Sequence, residues 1–122
     1  MTKEGKSSKA VRQGDGAMYR ATTPLHTYKL PIQTDTCDVI LVTYKQDETV
    51  VTKRYENGSL PDGMSLDGDK VIIKLTQEET LKFTENGPVS AQIRVLTENG
   101  DAFASRKFKL SVFDVHNEEI LT

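Results

Sequence analysis

The chain is poor in the residue types on which most small-domain chemistry depends. It has a single cysteine, Cys37, no tryptophan and two histidines, His26 and His116, in 122 residues. One cysteine cannot form an intrachain disulfide, which excludes a disulfide-stabilised scaffold and favours a reducing compartment. No window approaches the roughly 18 apolar residues of a membrane-spanning helix, and the first residues contain no apolar run that would make a secretory signal. We therefore expect a protein that is made in a cytoplasm and binds no membrane.

An excess of basic charge is also missing. The formal net charge is -2 and the isoelectric point is about 5.7. Proteins that neutralise many phosphates are normally basic, so we expect no nucleic-acid partner. Basic and aromatic residues do alternate at Tyr44, Lys45, Lys53, Arg54 and Tyr55, and exposed aromatics on a sheet can stack bases. A solvated sheet face is the preferred interpretation of that pattern.

Length and composition predict one folded domain behind a flexible arm. Apolar residues make up 36% of the chain and charged residues 28%, which is typical of globular proteins. Residues 1–18 have almost no apolar content and carry more basic than acidic groups, so they are predicted to form a flexible N-terminal arm. The arm is interpreted as a solubilising leader in preference to a nucleic-acid-binding tail. Residues 19–122 are predicted to form the domain.

Period-two alternation dominates this domain and predicts an all-β fold. About seven short strands follow one another at intervals of roughly ten residues, the spacing of an antiparallel sandwich. The apolar run from Val39 to Val42 predicts a central strand covered on both faces. Thr76 stands three residues before Glu79, a capping-box spacing that predicts one short helical turn near 76–83. The other predicted strands cover 25–30, 49–55, 70–75, 89–97 and 102–113, with a short edge piece between the turns at 61–63 and 67–69.

The order of these elements resembles part of an immunoglobulin-like domain. A strand, a helical turn, a strand, a hairpin and a final strand, over residues 70–113, are similar to the E, F and G region of such domains. The core tryptophan and the disulfide of antibody domains are absent. We therefore expect an immunoglobulin-like antiparallel β-sandwich whose resemblance is architectural only.

The sequence contains no arrangement that indicates catalysis or a bound cofactor. Nucleophilic catalysis needs a nucleophile beside a base, and Cys37 opens an apolar strand, where a cysteine is usually a small buried hydrophobe. Asp62, Asp67 and Asp69 crowd one turn region, but turn chemistry explains them without calcium. The glycines are isolated turn residues and form no phosphate-binding loop. We assign no catalytic, cofactor-binding or metal-binding residue, and we expect a protein that is not an enzyme and takes no cofactor.

Three stretches carry a resemblance to a known family: "MYRATTPLHTYKLP", "LDGDKVIIKLTQEETLKF" and "VSAQIRVLTENGDAFASRKFKLSV". They resemble small proteins encoded in phage and prophage tail-gene regions of Firmicutes. Members open with Arg-Gly-Thr-Thr-Pro-Thr and carry a Leu-Thr-Gln-Glu-x-Thr segment. This chain has Ala21 where members have glycine, so we expect that position 21 does not need a positive φ. The motif is interpreted as the extended segment that leads into the first strand, and its residues are Arg20, Thr22, Thr23, Pro24 and His26.

The resemblance implies a structural or interaction protein associated with a tail or baseplate. Such a protein would be made in the cytoplasm of a bacterial host, would associate with the virion, and would dock to other tail proteins or to itself. The charged strand 49–55 is the candidate interaction edge, guarded by its charges against promiscuous pairing. A saccharide-binding adhesion module is the alternative, and a small hydrolase ranks last. The residues of the candidate edge are Thr49, Val51, Lys53, Arg54 and Tyr55.

Overall fold

A computed structural model describes residues 16–122, and in it nearly all regular structure is β-strand. A 3-10 turn covers Thr34–Thr36, and the one α-helix among these residues, α1, covers Gln77–Leu81. The strands are β1 (Ala17–Tyr19), β2 (Leu25–Lys29), β3 (Cys37–Gln46), β4 (Thr49–Glu56), β5 (Met64–Asp67), β6 (Lys70–Lys74), β7 (Val89–Thr97), β8 (Ala102–Ala104) and β9 (Phe108–Phe113).

The strands form two sheets that pack face to face. The larger sheet has six strands in the order β1-β9-β7-β3-β4, with β8 also paired to β7, and the smaller has the order β2-β6-β5. Alternate residues of both sheets point inward and are fully buried, for example Ile40 and Val42 of β3 and Val71 and Ile73 of β6. One continuous core therefore lies between the sheets.

This topology confirms the predicted fold class, an immunoglobulin-like β-sandwich. In variable-type immunoglobulin domains one sheet contains strands B, E and D and the other contains G, F, C and C′. Here β2, β6 and β5 stand in the B, E and D places, and β9, β7, β3 and β4 stand in the G, F, C and C′ places. The helix α1 lies between E and F, where the sequence predicts a helical turn.

Three details differ from the prediction. The described part has nine strands instead of about seven, because β1 was not predicted and the last predicted strand is split into β8 and β9. The split follows from Ser105, whose hydroxyl accepts a hydrogen bond from the Ile93 backbone and so interrupts the ladder. β1 pairs with β9 in parallel. Finally, β3 is central but covered on one face only, since Val39 and Leu41 point away from the core and are half-buried.

The predicted arm is shorter than expected at its C-terminal end. Met18 is 1% exposed and packs in the core, so the domain includes residues that were assigned to the arm. The remainder of that prediction, residues 1–15, lies outside the described residues.

The segment after β1 crosses from the large sheet to the small one and is fixed to α1. The Thr80 hydroxyl accepts a hydrogen bond from the Thr22 N–H at 3.3 Å. Its own proton is shared between the carbonyl oxygens of Gln77 at 2.9 Å and Thr22 at 3.3 Å. Ala21 adopts φ 61 in this crossover, so the expectation that position 21 needs no positive φ was wrong. An L-residue is strained there because its Cβ approaches the following carbonyl oxygen.

We predict that Ala21→Gly stabilises the fold by up to about 1 kcal/mol. Relief of about 1 to 2 kcal/mol of left-handed strain exceeds the roughly 0.4 to 1 kcal/mol that glycine adds to unfolded-state entropy. Urea denaturation measures the change. Ala104→Gly is the matched control, because Ala104 is exposed and has no positive φ, and it should lose about 0.5 to 1 kcal/mol. Equal destabilisation by both variants would contradict the strained conformation at Ala21.

Candidate functional site: the edge strand and outer face of the large sheet

Strand β4 forms one edge of the large sheet, as the sequence predicts for residues 49–55. It pairs with β3 along its whole length of 8 residues and is the longest edge strand of the described sheets. The hairpin between β3 and β4 is closed by the pair Gln46 and Thr49, so Thr49 is hydrogen-bonded to β3. Since hydrogen-bonded and non-hydrogen-bonded pairs alternate, Thr49, Val51, Lys53 and Tyr55 direct their backbone groups at β3.

The free backbone groups of the edge therefore belong to Val50, Thr52 and Arg54. Of the five residues predicted to form the interaction edge, only Arg54 directs its backbone groups away from β3 and its side chain away from the core. The side chain of Val50 is also 47% exposed, an uncommon fraction for a valine in a strand. The edge thus offers a row of donors and acceptors beside exposed apolar and basic side chains.

Lys53, one of the charges predicted to guard this edge, does not project into solvent. It points inward and is 7% exposed, and its Nζ lies 2.8 Å from Oε2 of Glu79. Glu79 is the third residue of α1, and its Oε1 accepts a hydrogen bond from the backbone N–H of Thr76 in the predicted capping box. One carboxylate therefore caps α1 and anchors β4. An inward charge is still one of the devices that limit promiscuous pairing at an edge.

The ionisation of Glu79 is coupled to this arrangement. Burial favours its neutral form, but hydrogen bonds from Lys53 and Thr76, together with the charge of Lys53, outweigh that effect and lower the pKa of Glu79 below its ordinary value. The carboxylate is therefore charged at neutral pH and holds the edge strand against the helix.

The outer face of the large sheet has an apolar groove at one end. Leu41 of β3 lies between Arg54 of β4 and Arg94 of β7, and the next row places Val39 beside Leu96 and Leu96 beside Ala102. These side chains border an open depression of about 220 Å³. Leu96 is 39% exposed. We call this feature, lined by Val39, Leu41, Arg54, Arg94, Leu96 and Ala102, the apolar groove.

The other end of the same face has a polar groove of about 660 Å³. Ser90 and Gln92 of β7 lie on its lining with Thr43 and Lys45 of β3. The buried amide of Gln46 fixes its wall: Nε2 donates to the carbonyl oxygens of Thr84 and Gly87, and Oε1 accepts from the Thr84 N–H. The lining is completed by Gln46, Asp47, Asn86, Gly87, Pro88 and Lys107. It offers amides, hydroxyls and charges, and it contains no aromatic ring.

The motif at 20–26 has a structural position. The Arg20 guanidinium donates to the carbonyl oxygens of Phe83 and Leu81 at 2.6 and 3.0 Å, and it also pairs with Asp114 and Glu118. The Thr22 hydroxyl donates to the Tyr19 carbonyl oxygen, and the Pro24 carbonyl oxygen accepts from Leu75. Thr23 is exposed in this crossover.

His26 belongs to a hydrogen-bonded chain that crosses the core. Its Nε2 lies 3.4 Å from the Ala17 carbonyl oxygen and its Nδ1 lies 3.1 Å from the Tyr44 hydroxyl, which is 3.1 Å from the Tyr28 hydroxyl. A carbonyl oxygen only accepts, so Nε2 carries the proton and Nδ1 accepts from Tyr44. Burial lowers the pKa of His26, against a smaller opposing effect of the Ala17 carbonyl, so this neutral form is favoured. Burial and the neighbouring Tyr28 raise the pKa of Tyr44.

The described residues show no assembled catalytic or metal centre. The Cys37 thiol is buried and contacts the Gln33 carbonyl oxygen at 3.7 Å, and burial raises the pKa of Cys37, which disfavours the reactive thiolate. Both ring nitrogens of His26 contact groups other than that thiol. Within residues 16–122, no group of three or more His, Cys, Asp and Glu residues could hold a metal ion.

The proposed base-stacking pattern is not present on the surface. Tyr44 is fully buried and Lys53 points inward, which leaves Lys45 and Arg54 on the outer face of the large sheet and the half-buried Tyr55 on its inner face. No helix in the described part of the chain is long and apolar enough to cross a membrane.

Three residues of the site were not predicted from the sequence: Arg94, Gln46, and Glu79 as the ion-pair partner of Lys53. Arg94 and Gln92 do alternate with buried residues of β7, a signal that places them on the outer face. The contacts of Gln46 to residues 84–87 and of Glu79 to Lys53 join positions far apart in the chain, and no local pattern announces them.

No protein-family model and no curated protein matches the chain. Solved structures with similar folds include the extracellular portion of mouse CD200RLa, at 11% identity and a TM-score of 0.45. The similarity covers 80% of this chain and 54% of the CD200RLa chain, so the protein spans about half the length of that structure. The V domain of amphioxus IgVJ-C2 is similar at 12% identity and a TM-score of 0.37, over 80% of this chain and 98% of the other.

We predict that Glu79→Gln lowers the free energy of unfolding by about 2 to 3 kcal/mol at neutral pH. Glutamine still completes a capping box, whereas Lys53 is left buried without its counter-charge. Because folding lowers the pKa of Glu79, the unfolded chain binds more protons than the folded chain does once the pH falls to about 4.5 and below. The wild type therefore loses stability over this range, and the variant lacks that part of the loss.

Urea unfolding over a series of pH values measures both effects. The control is Glu56→Gln, which removes the exposed ion pair with Arg54 and should change stability by less than about 1 kcal/mol. Adding Lys53→Met to Glu79→Gln should restore most of the loss, since no buried charge then remains. Identical pH profiles for the wild type and Glu79→Gln would contradict the coupling.

Proposed function

We propose that the protein is a docking module of a phage or prophage tail or baseplate, and that it binds a neighbouring tail protein along β4. The observation that carries the proposal is the free edge of β4, which presents the backbone groups of Val50, Thr52 and Arg54. An extended segment of a partner can add to such an edge as a further strand, and its side chains then gain specificity from the exposed neighbours.

The fixed position of β4 supports this role. A strand that binds by backbone hydrogen bonds loses less entropy if it is rigid before binding. Here the hairpin to β3 and the ion pair between Lys53 and Glu79 hold β4 from both sides. The tail context comes from the sequence resemblance at residues 19–115 and is part of the proposal.

Assignment of a non-enzymatic role is consistent with the site chemistry. The titratable groups at the edge and in the two grooves are exposed lysines, arginines and carboxylates, apart from the Lys53 and Glu79 pair, which is committed to structure. Docking needs none of them to be activated.

A saccharide-binding adhesion module is the second candidate, and the polar groove favours it. Its volume of about 660 Å³ lies in the range of small-ligand sites, and its amides and hydroxyls suit a polyhydroxy ligand. The lack of an aromatic ring in its lining places this function second.

We predict that Thr52→Pro abolishes incorporation into phage particles while the domain stays folded. Proline removes an outward N–H, and at an edge position it leaves the β3 ladder intact. Mass spectrometry of particles purified after prophage induction measures the stoichiometry of peptides from residues 19–122.

Thr52→Val is the matched control, because it keeps the N–H and the strand preference at the same position. It should be incorporated like the wild type. Equal incorporation of Thr52→Pro would exclude the β4 edge as the docking site. Absence of wild-type peptides from particles, with abundant protein in the lysate, would exclude the virion role.

We predict for the second candidate that purified host cell-wall polysaccharide shifts the backbone amide resonances of Ser90, Gln92 and Lys45 in an NMR titration. Ser90→Leu, which places an apolar side chain in the groove, should remove the shifts. Lys74→Ala on the opposite sheet should leave them unchanged. A titration without shifts at the groove would exclude the adhesion function for that polysaccharide.

A further inference from the structure

The C-terminal segment presents an exposed apolar side chain on a clamped backbone. The side-chain amide of Gln77 donates to the Leu121 carbonyl oxygen and accepts from the Leu121 N–H, both at 2.8 Å. Arg20 holds the same segment through Asp114 and Glu118. Leu121 is nevertheless 70% exposed, the largest value among the exposed large hydrophobic residues. A fixed backbone beneath an exposed leucine is a rigid apolar knob.

Two acidic residues precede this leucine in the chain. Glu118 and Glu119 are exposed, and Glu119 has no ion pair among the described residues. The segment thus combines an apolar side chain with free negative charge. We call residues 114–122 the acidic tail.

The apolar groove has the complementary chemistry. Arg94 borders it, is exposed, and has no ion pair within residues 16–122, whereas Arg54 on the other side is paired with Glu56. The groove is an open depression of about 220 Å³ on the sheet face, and its apolar floor can cover one side of a bound side chain. One leucine side chain therefore fits, with a carboxylate beside Arg94.

The acidic tail and the apolar groove lie at opposite ends of the domain. Leu96 of the groove and Val89 are seven residues apart in β7, which is about 23 Å along a strand. β9 pairs Leu110 with Val89 and runs on past that end to Phe113, where the acidic tail begins. The tail that is clamped to α1 thus cannot occupy the groove of its own chain.

We propose that the acidic tail of one copy docks in the apolar groove of the next, with Leu121 in the groove and Glu119 at Arg94. The interface is heterologous, so it builds rings or open chains of copies in one direction. A symmetric contact of groove against groove would oppose two Arg94 side chains and is disfavoured. The inference rests on the proposed docking function and names a second copy as one partner.

The test is sedimentation velocity of the purified full-length chain over a range of concentrations and salt. The wild type should show a weight-average mass that rises with concentration and falls with added salt, because the charged contact is screened. Leu121→Asp, Arg94→Glu and Glu119→Arg should each weaken self-association by about tenfold or more. Lys74→Glu makes the same charge change on the other sheet and should associate like the wild type.

A mixture of two variants gives the decisive result. Equal amounts of Arg94→Glu and Glu119→Arg should regain association, because each contact between unlike copies then joins a glutamate and an arginine. A wild type that stays monomeric at every concentration, or variants that associate like the wild type, would overturn the proposal. The assay uses the purified chain alone, without another tail protein. A failure of self-association would therefore not test the proposal that β4 binds a different partner.

Discussion

A hydrogen bond between the hydroxyls of Tyr28 and Tyr44 joins the two sheets inside the core and constrains which residues of each sheet face inward. Immunoglobulin domains of antibodies join their sheets with a disulfide packed on a tryptophan, and this chain has neither. Tyr28 and His26 belong to the small sheet and Tyr44 to the large one, so the chain from Tyr28 through Tyr44 to His26 spans the core. A slip of one residue in either strand would point these polar groups out of the core and bury others unpaired. These hydrogen bonds therefore favour the observed inward face of β3. The hairpin pairing of Gln46 with Thr49 carries the alternation into β4, where Lys53 points inward and Arg54 outward.

Helix α1 makes hydrogen bonds and an ion pair with three distant segments of the chain, although it is too short to be stable alone. Helices need more than about 12 residues to persist in water, and α1 has 5. It is held by Arg20 at its C-terminal carbonyls, by Lys53 at Glu79, and by the backbone of Leu121 at Gln77. The start of the domain, the edge strand and the acidic tail are therefore all bonded to this one short helix. Both proposed docking elements, β4 and the tail, are thereby fixed relative to each other.

Local patterns predicted the parts of the fold that local physics decides. The capping box at Thr76 and Glu79, the edge strand β4 and the alternation in β7 were confirmed, because each depends on neighbouring residues. Strand β1 was missed because its three residues gain their stability from β9, more than 90 residues away. The counter-charge that allows Lys53 to be buried comes from Glu79, 26 residues later. Ala21 adopts a left-handed conformation between Arg20 and Thr22, which are held by Phe83 and Thr80 far along the chain, so the local sequence pattern does not reveal it.

The distribution of charge gives the molecule a direction. The chain as a whole is acidic, yet the outer face of the large sheet carries Lys45, Arg94 and Lys109 in addition to the ion pair of Arg54 with Glu56, while the acidic tail lies at one end. Such segregation favours association of unlike surfaces over like ones, because identical charged faces repel when two copies meet symmetrically. A module with one basic face, one acidic end and one free strand edge can contact different neighbours on each side at once. That combination suits a component of an ordered assembly better than a binder of single ligands. It follows from the positions of three elements: β4 forms the sheet edge, β7 borders the apolar groove, and β9 leads into the acidic tail.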